Sequence, residues 1–479
     1  MTVKKLSSMG LTISLVLALV LSACSSQAET KPDASGNTSG GSSSPAQQSE
    51  QEPGAEQVAL DFWVFPKWNG VDGTESDGQP GDWEKAMAQK FMELHPNVTI
   101  VTEVFDFQSG PQKVSVSLAA GTIPDVLHDG DLRTMDYANK GYILPLNDYL
   151  DEDFMSDFFE GTFETTTRGD GKYYYIPFGT APVLMMVNKT LFKQAGAEHL
   201  LPQNPDKTWT QEEYYNAIKT ASEKLSGVYG TALFSDTSSA DQMAFGWIWG
   251  YGGRVVNDTM DKVVMNEPKA IEGWKFWKKL VDDKLAAPGG AGFKHADTLT
   301  LFDQQKILTV PAATVQYARA LKAQQVGNAE KFEIELVMLP SAPDQPPVSS
   351  GFPHGFAVFK QEDENRQKWA VEFAKFLTNK DNASAVKAAN EYSFRKSQEG
   401  LYNDSTDPNM KFAGTAMKYQ INSGATTVGY TQLRNAITPH LQAYYLGKKN
   451  AEQLAADIEA EGNKILEDAR TLMMNEQKK

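Results

Sequence analysis

Val58-Ala-Leu-Asp-Phe-Trp-Val-Phe65, then Trp83-Glu-Lys-Ala-Met-Ala-Gln-Lys-Phe-Met-Glu-Leu-His-Pro-Asn-Val98 running on to Phe105, is the stretch that decides the fold. The first segment is apolar and aromatic and stops at Pro66, the pattern of a strand. In the second, Trp83, Met87, Phe91 and Leu94 recur at helical spacing, and Pro96 ends the run. Val98–Phe105 is again strand-like. Strand, helix and strand in succession predict an α/β fold, with a parallel or mixed sheet covered by helices on both faces.

Working outward, the alternation continues. Gln112–Ala120 is a predicted helix closed by Gly121, 124–129 a short strand, and Leu132–Lys140 a helix ending at Gly141. Tyr173–Ile176 and Val183–Asn188 read as strands around Pro177. Thr210 and Glu213 form a capping box for a helix to about Leu225. Pro268 opens a helix with Ile271, Trp274, Trp277 and Val281 on one stripe. A helix from about Asp363 to Leu377 places Trp369, Phe373 and Phe376 together, and the chain is helical from about Thr431. No internal repeat is present. Residues 58–479 are too many for one ordinary core, so two lobes are expected.

Toward the N-terminus, Lys4 and Lys5 precede an apolar run from Leu11 that ends at Leu21-Ser-Ala-Cys24. This is the layout of a secretory signal peptide, too short for a comfortable membrane span. Cys24 is the sole cysteine. Residues 25–57 contain no Val, Ile, Leu, Met or aromatic residue, cannot bury apolar surface, and are expected to form a flexible tether. A coil of that length spans roughly 30–35 Å. The chain carries 45 Lys and Arg against 61 Asp and Glu, a net charge of −16. Loss of residues 1–23 removes two lysines and no acid. Such a balance disfavours nucleic acid and anionic lipid as partners.

Catalytic signatures are sparse. There is no zinc-protease helix motif, Cys/His metal spacing, nucleophile elbow or phosphate loop. Paired carboxylates such as Asp129/Asp131 or Asp282/Asp283 read as solvated faces in so acidic a chain. The Asp72–Asp82 stretch does not fit calcium-loop spacing. No metal or cofactor is expected. Aromatic density in predicted loops is more informative. Trp63, Phe65 and Trp68 cluster at the end of the first strand, and Trp247, Trp249 and Tyr251 lie in a glycine-rich run ending at Gly253. Glycines so dense do not build a packed helix, so these rings are expected to face a cleft. Flat rings suit the C–H faces of sugars, and Lys67, Asn69, Asp129, Asp131, Arg133 and His354 are the candidate polar partners for hydroxyls.

The order of these segments resembles family 1 extracellular solute-binding proteins, the maltose-type receptors of ABC importers. Trp83–Val98 is similar to the family's first helix and second strand, Ala119–Val126 to its "sG..PDv" segment, and Gly171–Gly179 with Val187–Gly196 to its "GK.Y.lP…yNK.lf..aG" block. Lys207–Thr210 resembles its "P.TWdE" entry and Gly351–Phe359 its "G..g.aI.k" strand. Leu21–Cys24 resembles a lipobox, which implies cleavage before Cys24 and its lipidation. The resemblance implies a two-lobe periplasmic-binding-protein fold (type II-like) with three hinge crossovers, near Pro177–Ala181, Met338–Pro340 and Phe376–Lys380. It divides the chain into a signal peptide (1–23), an anchored linker (24–57), a first lobe (58–178 plus 340–377) and a second lobe (179–339 plus 378–479). It implies a monomeric, non-enzymatic carbohydrate receptor, held by Cys24 on the outer face of a cell membrane and serving an ABC permease; the tether, which would replace a periplasm, points to a Gram-positive cell. Phe65, Lys67, Trp68, Asp129, Asp131 and Arg133 fall where family members contact ligand, and Gly351 and His354 lie on the returning strand near the cleft. The family's tryptophan after the Phe302–Pro311 block is missing, so Trp247 or Trp249 is expected to supply that ring. A secreted glycosidase, or the same fold taking a non-sugar solute, are the alternatives.

Overall fold

The computed structural model describes residues 56–166, 170–236, 240–324 and 332–476, all within the unit Pro53–Lys479. The signal peptide, Cys24, nearly all of the linker and part of the Arg168–Gly171 turn lie outside the described residues. Among the described residues, ten strands form two sheets. In chain order they are β1 (Val58–Val64), β2 (Val98–Val104), β3 (Val126–Gly130), β4 (Ile176–Thr180), β5 (Leu184–Asn188), β6 (Tyr229–Thr231), β7 (Ile307–Ala313), β8 (Ile334–Val337), β9 (His354–Val358) and β10 (Tyr392–Ser393). The first sheet has the order β10-β4-β9-β3-β1-β2, and the second β6-β7-β5-β8.

β1 pairs in parallel with both β2 and β3, while β9 runs antiparallel between β3 and β4. Alternate residues of β1 bury on opposite faces. Phe62 and Val64 join the cluster under the helices Asp82–Leu94 and Glu364–Leu377, whereas Trp63 and Phe65 join the one under Gly110–Ala119 and Asp131–Asn139. Coverage on both faces is what a parallel sheet requires. The predicted strand at 173–176 lies instead at Ile176–Thr180, with Pro177 beside a register shift against β9.

The glycine-rich segment expected to form loops is a buried helix, Ala240–Gly250. Its small residues admit close packing rather than opening a cleft. A Cβ on Gly250 would stand 2.4 Å from the Pro340 carbonyl oxygen, and one on Gly273 2.7 Å from the Trp247 carbonyl oxygen. The neighbouring helix, Pro268–Asp282, thereby approaches backbone to backbone.

The chain passes between the sheets three times. The first passage, 181–183, separates β4 from β5. The second comes later than expected, because Ser341 and Ala342 still bond to the second lobe at Trp209 and Gly250. It lies at 350–353, where the Val183 N–H donates to the Ser350 carbonyl (2.9 Å) and the Ser349 hydroxyl to the Val183 carbonyl (3.0 Å). The third is also displaced from 376–380. Tyr392–Ser393 pairs with β4 in the first sheet, and Arg395 bonds to Asp157 of the same lobe. Asn409, in the helix Pro408–Thr415, clasps β8 through the Leu336 N–H and the Ile334 carbonyl. The third passage is therefore 396–407, and residues 378–395, assigned from sequence to the second lobe, build on the first.

Candidate functional site

The carboxyl ends of β1 and β3 lie side by side, the place where open α/β sheets present ligand sites. Phe65 continues β1, its N–H bonded to the His128 carbonyl (2.9 Å). Its ring is fully buried and stacks on Phe105, and the Arg133 guanidinium lies 4.7 Å from its centroid. Phe107 flanks the same guanidinium at 5.4 Å and is half exposed. Asp129 is buried at the end of β3 and fixes Arg133 from both sides. Nε donates to Oδ2 (2.8 Å) and Nη2 to Oδ1, an i,i+4 fork across the start of the helix. Burial pushes the Asp129 carboxyl up against the pull of Arg133. Asp129 is thus a brace for the cation.

Asp131, two residues on, is different. It opens the helix Asp131–Asn139, donates its own N–H to the Pro353 carbonyl (3.0 Å), and accepts from the Leu132 N–H (2.8 Å). Burial lifts its carboxyl to about 6, although the Leu132 bond and the charges of Lys67 and Arg434 pull it down. Arg434 belongs to the other lobe, on the helix Tyr430–Tyr445. There Asp241 accepts from the Tyr430 hydroxyl (2.8 Å) and from Arg434 Nη2 (3.0 Å). Leu132 packs against the second-lobe core, so the two lobes meet here. The Tyr175 hydroxyl and Ser350 Oγ are buried without a partner, and Tyr175 lies within the field of Asp131. Buried polar atoms without partners are uncommon and invite a ligand or water.

The structure gathers Phe65, Lys67, Asp129, Asp131 and Arg133, with His354 beneath them opposite Gly130, and separates the other predicted residues. The Lys67 ammonium lies 4.0 Å from Glu391. Trp68 is core, its ring 5.5 Å from Trp83. Asn69 is exposed and bridges to Pro80. Trp247 was expected at a cleft but is 1% exposed, packed on Tyr214 and Phe276. Tyr251 packs on Phe276 too. Trp249 is buried at the wall of a separate cavity of about 360 Å³, where the Asn257 and Asn422 side chains are already bonded within the protein. Gly351 lies in the second passage, where a Cβ would stand 2.3 Å from Thr180 Oγ1. His354 is wholly buried and bonded to His128 and Glu391. Sequence reasoning missed Phe107, Tyr175, Asp241, Ser350, Tyr430 and Arg434. The i,i+4 spacing of Tyr430 and Arg434 hints at a shared helix face, but their meeting with Asp241, 189 residues from Tyr430, has no local signal.

A fold of two lobes with a polar site where they meet defines a binding protein that grips its solute between domains. The family profile of bacterial extracellular solute-binding proteins matches residues 75–384, and the chain belongs to that family. It is 24% identical over 400 residues to a binding protein of Brucella abortus, covering 82% of this chain and 92% of that one. It is 27% identical over 234 residues to the diacetylchitobiose binding protein of Streptomyces coelicolor, covering 48% of this chain and 49% of that one. Among solved structures, the cyclic alpha-maltosyl-1,6-maltose binding protein of Arthrobacter globiformis superposes with a TM-score of 0.71 at 19% identity, over 86% of this chain and all of that one.

Proposed function

We propose that the protein captures a neutral oligosaccharide outside the cell and delivers it to the permease of an ABC importer. The observation that carries this reading is Asp131, a half-buried carboxylate with no ion pair of its own among the described residues, set within the fields of Lys67 and Arg434 from opposite lobes. A carboxylate so placed accepts strong hydrogen bonds from sugar hydroxyls. A ligand touching both lobes stabilises their closed arrangement, which a permease can distinguish from the empty one. The relatives that bind diacetylchitobiose and cyclic maltosyl-maltose support the carbohydrate class.

Charge matching supports neutrality. Lys67, Arg133 and Arg434 each face a carboxylate of the protein, in turn Glu391, Asp129 and Asp241. A phosphorylated or acidic solute would meet no unmatched cation and would oppose Asp131. A glycosidase needs two free carboxylates about 5–10 Å apart. Asp129 is held by Arg133, so the pair Asp129/Asp131 does not serve, and we read the protein as non-enzymatic.

Lipidation of Cys24 would tie the receptor to the outer membrane face through the 25–57 tether and raise its concentration near the permease. That arrangement replaces a periplasm and suits a monomer in a Gram-positive envelope. A Cys24→Ala variant is expected in the medium; retention on the membrane would remove the anchor. A thermal-shift screen tests the ligand class. Neutral oligosaccharides should raise the melting temperature and their uronic or phosphorylated counterparts should not. A shift only with acidic sugars would overturn the reading.

A further inference from the structure

Beneath the candidate site runs a line of four buried titratable side chains that ligand contact does not explain. Glu84 Oε1 lies 2.9 Å from His128 Nδ1, His128 Nε2 2.9 Å from His354 Nδ1, and His354 Nε2 2.6 Å from Glu391 Oε2. Both rings are fully buried and both carboxylates nearly so. The line crosses the sheet, from the helix Asp82–Leu94 through β3 and β9 to the residue before β10. Each ring uses both nitrogens, which fixes its orientation.

The proton count is the informative quantity. Each contact is a hydrogen bond only if one hydrogen lies in it, so three are needed. A neutral imidazole carries one N–H, and an ionised carboxylate carries none. Two neutral rings therefore fill two contacts. With His128 donating to Glu84 and His354 donating to His128, the bare His354 Nε2 would face the Glu391 carboxylate at 2.6 Å, lone pair against lone pair. We propose that Glu84, His128, His354 and Glu391 form a proton-binding site that holds one proton beyond the two of the neutral rings, in the His354–Glu391 contact.

Other groups facing the line are few. The Lys67 ammonium stands 4.0 Å from Glu391 Oε1, the Tyr402 hydroxyl donates to the Glu391 carbonyl, and Phe178 and Phe356 close over the histidines. Burial works to raise the Glu391 carboxyl, but His354 and Lys67 outweigh it and hold it below the usual glutamate value. Burial pushes the His354 imidazole down. The 2.6 Å contact is what places the extra proton, shared by a coupled pair rather than owned by one group.

The position gives this proton a mechanical role. His354 follows the second passage, Glu391 shortly precedes the third, and Gly179 sits just before the first. A Cβ on Gly179 would come within 2.9 Å of His354 Nε2 and 3.3 Å of Glu391 Oε2. The proton pins together the first-lobe roots of all three crossings. While it is bound these roots are held together; without it His354 Nε2 and the Glu391 carboxylate meet lone pair against lone pair at 2.6 Å.

The test is proton counting on the full chain, with histidine labelled by carbon-13 and nitrogen-15. At pH 7.5 the wild type should show three exchange-protected low-field protons from this line. Glu391→Gln, whose amide can donate to His354 Nε2, should show two, with both rings neutral. Two such protons and two neutral rings in the wild type overturn the proposal. If Glu391→Gln does not fold, the wild-type count alone decides.

Discussion

Two aromatic-rich regions looked alike in sequence and have opposite roles in the structure. The 63–69 segment leads from β1 to the place where the lobes meet. The 240–253 segment is a helix whose glycines let Pro268–Asp282 press against it. In the first, Phe65 is buried yet carries Arg133 on its face, beside the half-exposed Phe107 that follows β2. In the second, Trp247 has no open face. Aromatic density therefore does not mark a cleft. In the function proposed above, what marks it is a charge left over after the protein has matched its own, as Asp131 is left beside the braced Asp129.

The sharpest way to break this contrast is Trp247→Ala. The change should cost about 3–5 kcal/mol of stability, as other buried tryptophan deletions do. Ligand affinity of the remaining folded protein should stay near wild type, measured by denaturant unfolding alongside calorimetric titration. A selective loss of affinity would return Trp247 to the site. Asp131→Asn should do the reverse, costing about 1.5–3 kcal/mol of binding, the worth of hydrogen bonds to a charged group. Its effect on stability at pH 7 should be neutral or favourable. The folded-state value of about 6 lies above the ordinary aspartate value, so the folded state binds this proton more tightly and stability falls as pH rises from about 4 to about 6. The substitution removes that fall.

Gly351→Ala probes the hinge between these regions. Its Cβ would press on Thr180 Oγ1 and Gln420 Oε1, at 2.3 and 2.8 Å, and overpacking of this kind costs about 1–3 kcal/mol. Unfolding should report the loss, with a shift in the open-to-closed balance by small-angle scattering. Unchanged stability and scattering would show that the crossing yields freely. The smallest effect is that of pH on affinity. Below about pH 6 binding should weaken, by up to tenfold per unit, as Asp131 takes up its proton. Asp131→Asn should be flat over the same range.

Much of the fold was legible because period and punctuation are local. The helix at 82–94 showed as Trp83, Met87 and Phe91 before Pro96, and the capping box at Thr210 and Glu213 is present as read. The Ala240–Gly250 helix was misread because glycine signals freedom in one strand of sequence, and its use for close packing depends on Gly273 and Pro340 far away. The late third passage was missed because β10 is only two residues long. Of the site proposed here, Phe65, Lys67, Asp131 and Arg133 could be named from sequence because strand ends are predictable. Asp241, Tyr430 and Arg434 could not, because only the folded chain brings the helices at 240 and 430 together.

The most direct measurement is isothermal titration of the wild type and Asp131→Asn with a panel of neutral oligosaccharides. The account predicts one-to-one binding of at least one member by the wild type, without product, and at least tenfold weaker binding by the variant. Equal affinity in the two proteins would contradict it.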